Sequence, residues 1–82
     1  MNATDVREQV LVELKRIAPE LEESDLDMAR PLRDQVELDS MDWLNFLVAL
    51  HERLKVEIPE SDYKRLGTLE EIVTYLGARL PG

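Results

Sequence analysis

The sequence predicts a small all-α protein, a four-helix bundle made of three main helices and a short third helix. Apolar residues recur at three- and four-residue spacing in three separate stretches, which is typical of amphipathic helices. Capping and stop residues lie at the ends of these stretches. The chain of 82 residues bounds the prediction to one domain, residues 1–82, which has to bury most of its apolar side chains to be stable.

The first predicted helix covers about residues 4–18. Asn2 or Thr4 is its candidate N-cap, and Pro19 stops it. One face carries its apolar residues, which are Val6, Val10, Leu14 and Ile17. We expect this face to pack into the core of the bundle.

A long loop, residues 19–38, is predicted between the first two helices. No helical period is visible there, and a structureless connection of this length is unusual in a small domain. Pro31 keeps Arg30 out of helical conformation. Five apolar residues are expected to pin the loop across the bundle, namely Leu21, Leu26, Met28, Leu32 and Leu38.

The second helix is predicted to begin at Ser40, with Asp39 as N-cap and Asp42 three positions further on. Its core stripe consists of Trp43, Phe46, Leu47, Leu50 and Leu54. A narrower apolar stripe lies about 130° away from the core stripe and consists of Met41, Leu44 and Val48. This second stripe is expected to face outward.

The last third of the chain predicts two further helices. Val56 and Ile58 alternate like a strand, but Pro59 and the lack of a partner strand favour a connecting segment in which both side chains are buried. A short third helix is expected over residues 60–66, ended by Gly67. A capping box of Thr68 and Glu71 then begins the fourth helix, which ends before Pro81 and has as its apolar face Leu69, Ile72, Val73, Leu76 and Leu80.

The formal net charge of −8 comes from 18 acidic and 10 basic residues. Between residues 20 and 42 nine acidic residues stand against only Arg30 and Arg33, a net charge of −7. This charge argues against nucleic acid and anionic membranes as partners, and favours proteins with basic patches. With no transmembrane run and no signal-peptide pattern, we expect a cytoplasmic location. The chain has no cysteine, so any thiol chemistry has to come from a prosthetic group. We also expect a monomer.

Catalytic and metal-binding sites are not predicted. His51 is the single histidine, and on one helix it lies about 16 Å from Ser40, too far to activate the hydroxyl. Asp25-Leu26-Asp27 begins like a calcium loop, yet the later ligand and turn positions hold Ala29, Arg30 and Val36. Neither a nucleophile-base pair nor a metal centre follows from these residues.

Ser40 lies in the first helical turn between two carboxylates, where a protein holds a serine that is to be modified. Free backbone N–H groups and the positive end of the helix would favour a phosphate ester on its hydroxyl. The plain alternative is that Asp39-Ser40 only caps a helix, which is the usual role of such a pair.

Residues Asp39-Ser40-Met41 resemble the Asp-Ser-Leu motif of the acyl carrier protein family, with Met in place of Leu. The resemblance covers nearly the whole chain, and its other segments are residues 31–34, 50–54, 57–60 and 68–72. Glu37 departs from the family pattern where glycine is common. Asn45, His51, Arg53 and Lys55 also depart from it, because these positions are often acidic in fatty-acid carriers.

The resemblance implies a carrier that is not itself an enzyme, with 4′-phosphopantetheine attached to Ser40 and acyl groups held as thioesters. The implied partners are a phosphopantetheinyl transferase and acyl-transferring, ligating or condensing enzymes with basic docking patches. The residues expected to contact them are Asp39, Met41, Asp42, Leu44, Val48 and Glu52. Two alternatives stay open: a carrier for aminoacyl or peptidyl groups, and an unmodified acidic helical adaptor protein.

Overall fold

The computed structural model describes residues 2–80, and within this range the chain is mainly helical, as predicted. Its four α-helices are α1 (Ala3–Ile17), α2 (Leu32–Gln35), α3 (Ser40–Leu54) and α4 (Leu69–Arg79). Two 3₁₀ helices accompany them, Glu23–Asp25 and Glu60–Arg65. Across residues 2–80 the extended pairing is limited to one isolated bridge between Pro31 and Thr68.

Helix α1 begins one residue before the predicted start. The side chain of Asn2 is the cap, because its Oδ1 accepts a hydrogen bond from the backbone N–H of Asp5 at 2.9 Å. Thr4, the other candidate, lies inside the helix. The predicted apolar face is buried as far as Leu14, and Ile17 packs partly exposed against the core.

The core lies where α1 packs against both α3 and α4. Each of the three long helices contributes its apolar face, and burial of each large side chain contributes roughly 1.5–3 kcal/mol before conformational entropy is subtracted. The largest fully buried side chains are those of Phe46, Leu14, Leu32, Leu47, Leu50, Leu66, Leu69, Ile72, Leu76, Val6 and Val10. The three long helices therefore hold one another in place.

The connection between α1 and α3 is more ordered than the sequence indicates, because the short helix α2 forms within it. Four of the five expected anchors are buried or partly buried, namely Leu21, Leu26, Leu32 and Leu38. Met28 is a correction to the prediction, since its side chain is 38% exposed. Met28 holds the loop by its main chain instead: its carbonyl accepts from the N–H of Glu70, at the start of α4, at 3.1 Å.

Side-chain and backbone hydrogen bonds fix the shape of the loop between α1 and α3. The side-chain amide of Gln35 accepts from the N–H of Asp27 at 2.7 Å and donates to the carbonyls of Asp27 at 2.9 Å and Arg30 at 3.1 Å. Leu32 also donates its N–H to the carbonyl of Gly67 at 2.8 Å, which ties the start of α2 to the start of α4. These bonds satisfy backbone groups that the irregular chain would otherwise leave unpaired.

The predicted short third helix is found as the 3₁₀ helix Glu60–Arg65, and Val56 and Ile58 before it are buried as expected. The capping box of α4 is confirmed: Glu71 donates its N–H to Thr68 Oγ1, and Thr68 donates its N–H to Glu71 Oε1, each at 3.0 Å. The predicted face of α4 is buried as far as Leu76, and Leu80 is the C-cap that follows the helix and is partly exposed.

Candidate functional site

Ser40 is the first residue of α3, and its side chain is exposed. Asp39 before it is extended, with φ −79° and ψ 175°, and its Oδ1 accepts a hydrogen bond from the N–H of Asp42 at 2.8 Å. The carbonyl of Asp39 accepts from the N–H of Trp43 at 3.0 Å. The predicted cap is therefore present, and it holds the Ser40 hydroxyl at the solvent-facing start of a 15-residue helix.

The N–H groups of Ser40 and Met41 have no acceptor among residues 2–80. Asp39 satisfies only the donor of Asp42, so two donors of the first turn remain available to a group attached at Ser40. Together with the positive end of the helix dipole, they favour an anion at this position.

Helix α3 presents its two apolar stripes as predicted. The core stripe is buried and consists of Trp43, Phe46, Leu47, Leu50 and Leu54. The outward stripe is exposed, with 63% of Met41, 37% of Leu44 and 43% of Val48 accessible to solvent. Three large apolar residues on one outward face next to Ser40 form a surface suited to contact with another protein.

The negative charge around Ser40 is not neutralised within the fold. Of the nine acidic residues between Glu20 and Asp42, only Glu23 forms an ion pair within the described chain. Arg7 and Lys15 on α1 lie 3.9 and 3.8 Å from its carboxylate oxygens. Asp39, Asp42 and, further along α3, Glu52 are exposed and able to attract a basic surface at long range.

The opposite end of α3 lies far from Ser40. The imidazole of His51 donates from Nδ1 to the carbonyl of Val56 at 2.7 Å, so His51 helps close the turn after the helix. Eleven residues of helix separate it from Ser40, about 16 Å along the axis, and the two side chains cannot act as a nucleophile-base pair.

The left-handed turn that ends α3 was not predicted from the sequence. Lys55, the C-cap of α3, has left-handed backbone angles of φ 56° and ψ 39°. A glycine after Leu54 would have been the usual signal for such a turn, and that signal is missing here. In the described residues Lys55 is the one non-glycine residue with positive φ.

The described residues, 2–80, hold neither a metal-binding cluster nor a membrane-spanning helix. No three side chains of His, Cys, Asp or Glu type come together there as a metal-binding group. None of the helices in that range is both long and apolar enough to cross a bilayer.

Comparison with known proteins points to one family. The family described as the phosphopantetheine attachment site matches residues 6–76. The chain is 29% identical over 73 residues to the acyl carrier protein of Rubrobacter xylanophilus, covering 85% of this chain and 90% of that protein. It is 31% identical over 72 residues to the acyl carrier protein of Campylobacter lari, covering 88% and 87%. With that of Campylobacter fetus it shares 29% identity over 76 residues, covering 93% and 94%.

Proposed function

The chain belongs to the phosphopantetheine-attachment family of acyl carrier proteins, and from this membership we propose that Ser40 is the serine that bears the arm. The observation that carries the assignment is the position of Ser40: an exposed hydroxyl at the first residue of a long helix, beside two N–H groups that have no acceptor among residues 2–80. The other two serines, Ser24 and Ser61, are also exposed, but each is followed by an aspartate, whereas Ser40 follows Asp39 and precedes Met41. Each of them lies in a 3₁₀ helix instead.

The residues around Ser40 fit a phosphodiester. Transfer from coenzyme A forms a bond between Ser40 Oγ and phosphorus, breaks the phosphoanhydride, and releases the adenosine bisphosphate half together with the hydroxyl proton. The N–H groups of Ser40 and Met41 are the donors that would hold the anion. The arm supplies a terminal thiol for thioesters, which this cysteine-free chain does not itself possess.

The flanking carboxylates of Asp39 and Asp42 repel an anionic group at Ser40 and so offset part of the attraction from the helix end. The arm would then be held by its covalent bond and kept off the protein surface. This arrangement favours an arm that visits several enzymes in turn.

Partner enzymes are proposed to bind along the outward face of α3. Asp39, Asp42 and Glu52 would steer basic surfaces toward this face, and the exposed stripe Met41, Leu44 and Val48 would then enter an apolar groove. A contact of this size is at the small, transient end of protein interfaces, below about 1,200 Å². Weak binding suits a carrier, because it has to release its cargo-bearing arm to the next enzyme.

We propose further that the chain catalyses no step itself. Ser40 is an attachment point that His51 lies too far away to activate, and the chemistry belongs to the partners: a phosphopantetheinyl transferase and acyl-transferring, ligating or condensing enzymes. The acidic surface between Glu20 and Asp42 favours fatty or polyketide acyl groups as cargo over amino acids. An aminoacyl carrier would instead be loaded by an adenylating ligase, which can be tested directly once the arm is in place.

The test is the intact mass of the purified protein before and after incubation with coenzyme A, Mg²⁺ and a promiscuous phosphopantetheinyl transferase. We expect a gain of one phosphopantetheinyl group in the wild type and in Ser61→Ala, and no gain in Ser40→Ala. Ser61→Ala is the matched control, because Ser61 is also an exposed serine with an acidic residue, Glu60, directly before it. If the folded wild type gained no mass while a known carrier was modified in the same tube, the adaptor alternative would replace this proposal.

A further inference from the structure

Lys55 occupies a backbone conformation that suits glycine or asparagine. Its φ of 56° places it in the left-handed region, where a side chain's Cβ crowds the neighbouring carbonyl. At the end of a helix this position is usually filled by glycine, since glycine adopts the conformation without cost. A lysine here lowers the stability of the fold, which suggests that its side chain is kept for another use.

Within the fold the Lys55 ammonium has no acidic partner. The side chain is exposed, and no carboxylate lies within 4.0 Å of it among residues 2–80. The turn is closed by His51, which binds the carbonyl of Val56. Arg53 already places a positive charge in the last turn of α3, so the helix dipole has a partner without Lys55.

A recess of about 390 Å³ adjoins this lysine and is lined by Lys55, Val56, Glu57, Pro59 and Arg79. Val56 is buried and forms an apolar floor. Arg79 is already engaged, with its guanidinium 3.5 Å from the centre of the Tyr75 ring and 4.0 Å from an Asp62 oxygen. Glu57 supplies the one carboxylate in the lining. Lys55 is the cation that is free to bind a second carboxylate, from another molecule.

We propose that an enzyme that binds α3 places an acidic side chain in this recess, against the Lys55 ammonium. The inference rests on the proposed function, in which basic groups of the same enzyme face Asp39 and Asp42 at the other end of α3. Fifteen residues of helix separate Ser40 from Lys55. The basic and the acidic groups of the enzyme therefore lie about 22 Å apart, on either side of the groove that receives the outward stripe. The partner surface is thus of mixed sign.

A surface of mixed sign fixes the direction in which α3 lies on the enzyme. In the reversed direction the enzyme's carboxylate would meet Asp39 and Asp42, and its basic groups would meet Lys55. Both contacts would then be repulsive. Glu52 lies one turn before Lys55. It restricts the enzyme's carboxylate to the recess, because a carboxylate moved from the recess toward α3 would meet the like charge of Glu52.

Two synthetic helical peptides test the proposal with the holo-protein. Both peptides carry two lysines at one end, followed by leucines at three- and four-residue spacing. About 14 residues after the lysines, roughly 21 Å along the helix, one peptide carries glutamates and the other carries glutamines. Dissociation constants are measured by NMR titration at physiological ionic strength. The net charge of −8 disfavours the glutamate peptide at long range, so any gain for it has to come from a local cation.

We expect the wild type to bind the glutamate peptide about threefold more tightly than the glutamine peptide. The preference should disappear in Lys55→Gln and also in Lys55→Asn, which relieves the backbone strain and so separates binding from stability. Lys64→Gln is the control, because it changes the net charge by the same amount as Lys55→Gln but lies on the 3₁₀ helix Glu60–Arg65. This variant should keep the preference for the glutamate peptide.

The same peptide preference in the wild type and in both Lys55 variants would overturn the inference, as would no preference in the wild type or no binding of either peptide. Intact mass on the same samples separates this result from the proposed function. A chain that is loaded at Ser40 but shows no dependence on Lys55 remains a carrier without this contact. A chain that depends on Lys55 but is not loaded has the docking surface without the carrier function.

Discussion

Arg53 on α3 donates a hydrogen bond from Nη1 to the Oε1 atom of Glu13 on α1, with 3.1 Å between the two atoms. The Glu13 side chain is only 6% exposed, although the Arg53 side chain is 36% exposed. The Nε atom of Arg53 also donates to the side-chain oxygen of Gln9, so one guanidinium joins the two helices at two points. Arg16 approaches the same Glu13 oxygen at 3.4 Å from the solvent side.

Replacement of Arg53 by Ala should lower the free energy of unfolding by about 2 kcal/mol, because the buried carboxylate of Glu13 loses its main partner. The matched control is Arg16→Ala, whose 70% exposed side chain should contribute less than about 0.5 kcal/mol. Urea unfolding of both variants measures the difference. Equal effects of the two substitutions would contradict the assignment of Arg53 as the partner that matters.

Asp39 has two separable roles, as the cap of α3 and as a charge beside Ser40. Asp39→Ala should cost about 1 kcal/mol of stability, whereas Asp39→Asn should keep the cap, since asparagine caps helices as well as aspartate does. Both variants should be loaded more slowly by a basic transferase, and the slowing should shrink as salt is added. Urea unfolding and loading rates give the two readouts, and an equal loss of stability in both variants would exclude the capping role.

The outward stripe of α3 should govern recognition without supporting the fold. Leu44→Arg or Val48→Arg should slow loading of Ser40 by the transferase about tenfold while leaving the helical circular dichroism unchanged. Val12→Arg is the control, because Val12 on α1 is 43% exposed, as is Val48. If Val12→Arg slowed loading as strongly as Val48→Arg, a general effect of added positive charge would explain the result.

The hydrogen-bonded phenol of Tyr75 should make the free energy of unfolding fall at alkaline pH. Burial, together with the hydrogen bond that its hydroxyl donates to Asp62 Oδ2 at 2.6 Å, raises the pKa of the Tyr75 phenol above its ordinary value of 10.0. Above pH 10.0 the unfolded chain loses this proton while the folded protein retains it, so the contribution to stability falls as the pH rises toward the folded-state pKa.

Tyr75→Phe should therefore cost about 1 kcal/mol at neutral pH, where the hydrogen bond is intact. The difference in stability between the wild type and this variant should narrow above pH 10.0. Urea unfolding at a series of pH values measures it. A constant difference across the series would show that the Tyr75 proton does not contribute.

Lys55→Asn should raise the free energy of unfolding by about 0.5 kcal/mol, because asparagine tolerates the left-handed conformation better than lysine does. Lys64→Asn, at an exposed position in the 3₁₀ helix Glu60–Arg65, offers no such relief and should not stabilise the protein. Thermal unfolding of the two variants beside the wild type is sufficient. A destabilised Lys55→Asn protein would mean that the lysine side chain supports the turn after all.

The parts of the fold that follow a helical period could be predicted from the sequence. Both stripes of α3 and the caps at Asp39 and Thr68 follow from spacing and local hydrogen bonding, which depend on residues three or four positions apart. The position of Ser40 at the start of α3 follows from the same local pattern.

Features held by distant main-chain and side-chain contacts could not be predicted. Met28 was expected to anchor the loop with its apolar side chain, whereas its carbonyl does so through Glu70, 42 positions away. Helix α2 has four residues, too few to show a period. Glu13 appears in the sequence as one more charged residue, and its partner Arg53 comes from α3, 40 positions away.

The packing of α1 against α4 has a consequence for the order of events during synthesis. Helix α3 is made well before α4, yet the loop that leads to Ser40 is tied at Leu32 and Met28 to Gly67 and Glu70. A ribosome-bound chain that ends before α4 lacks these ties and one wall of the core. Under the proposed function, a transferase that recognises Ser40 in its folded setting would act only after α4 has left the ribosome, and arm attachment would then follow translation.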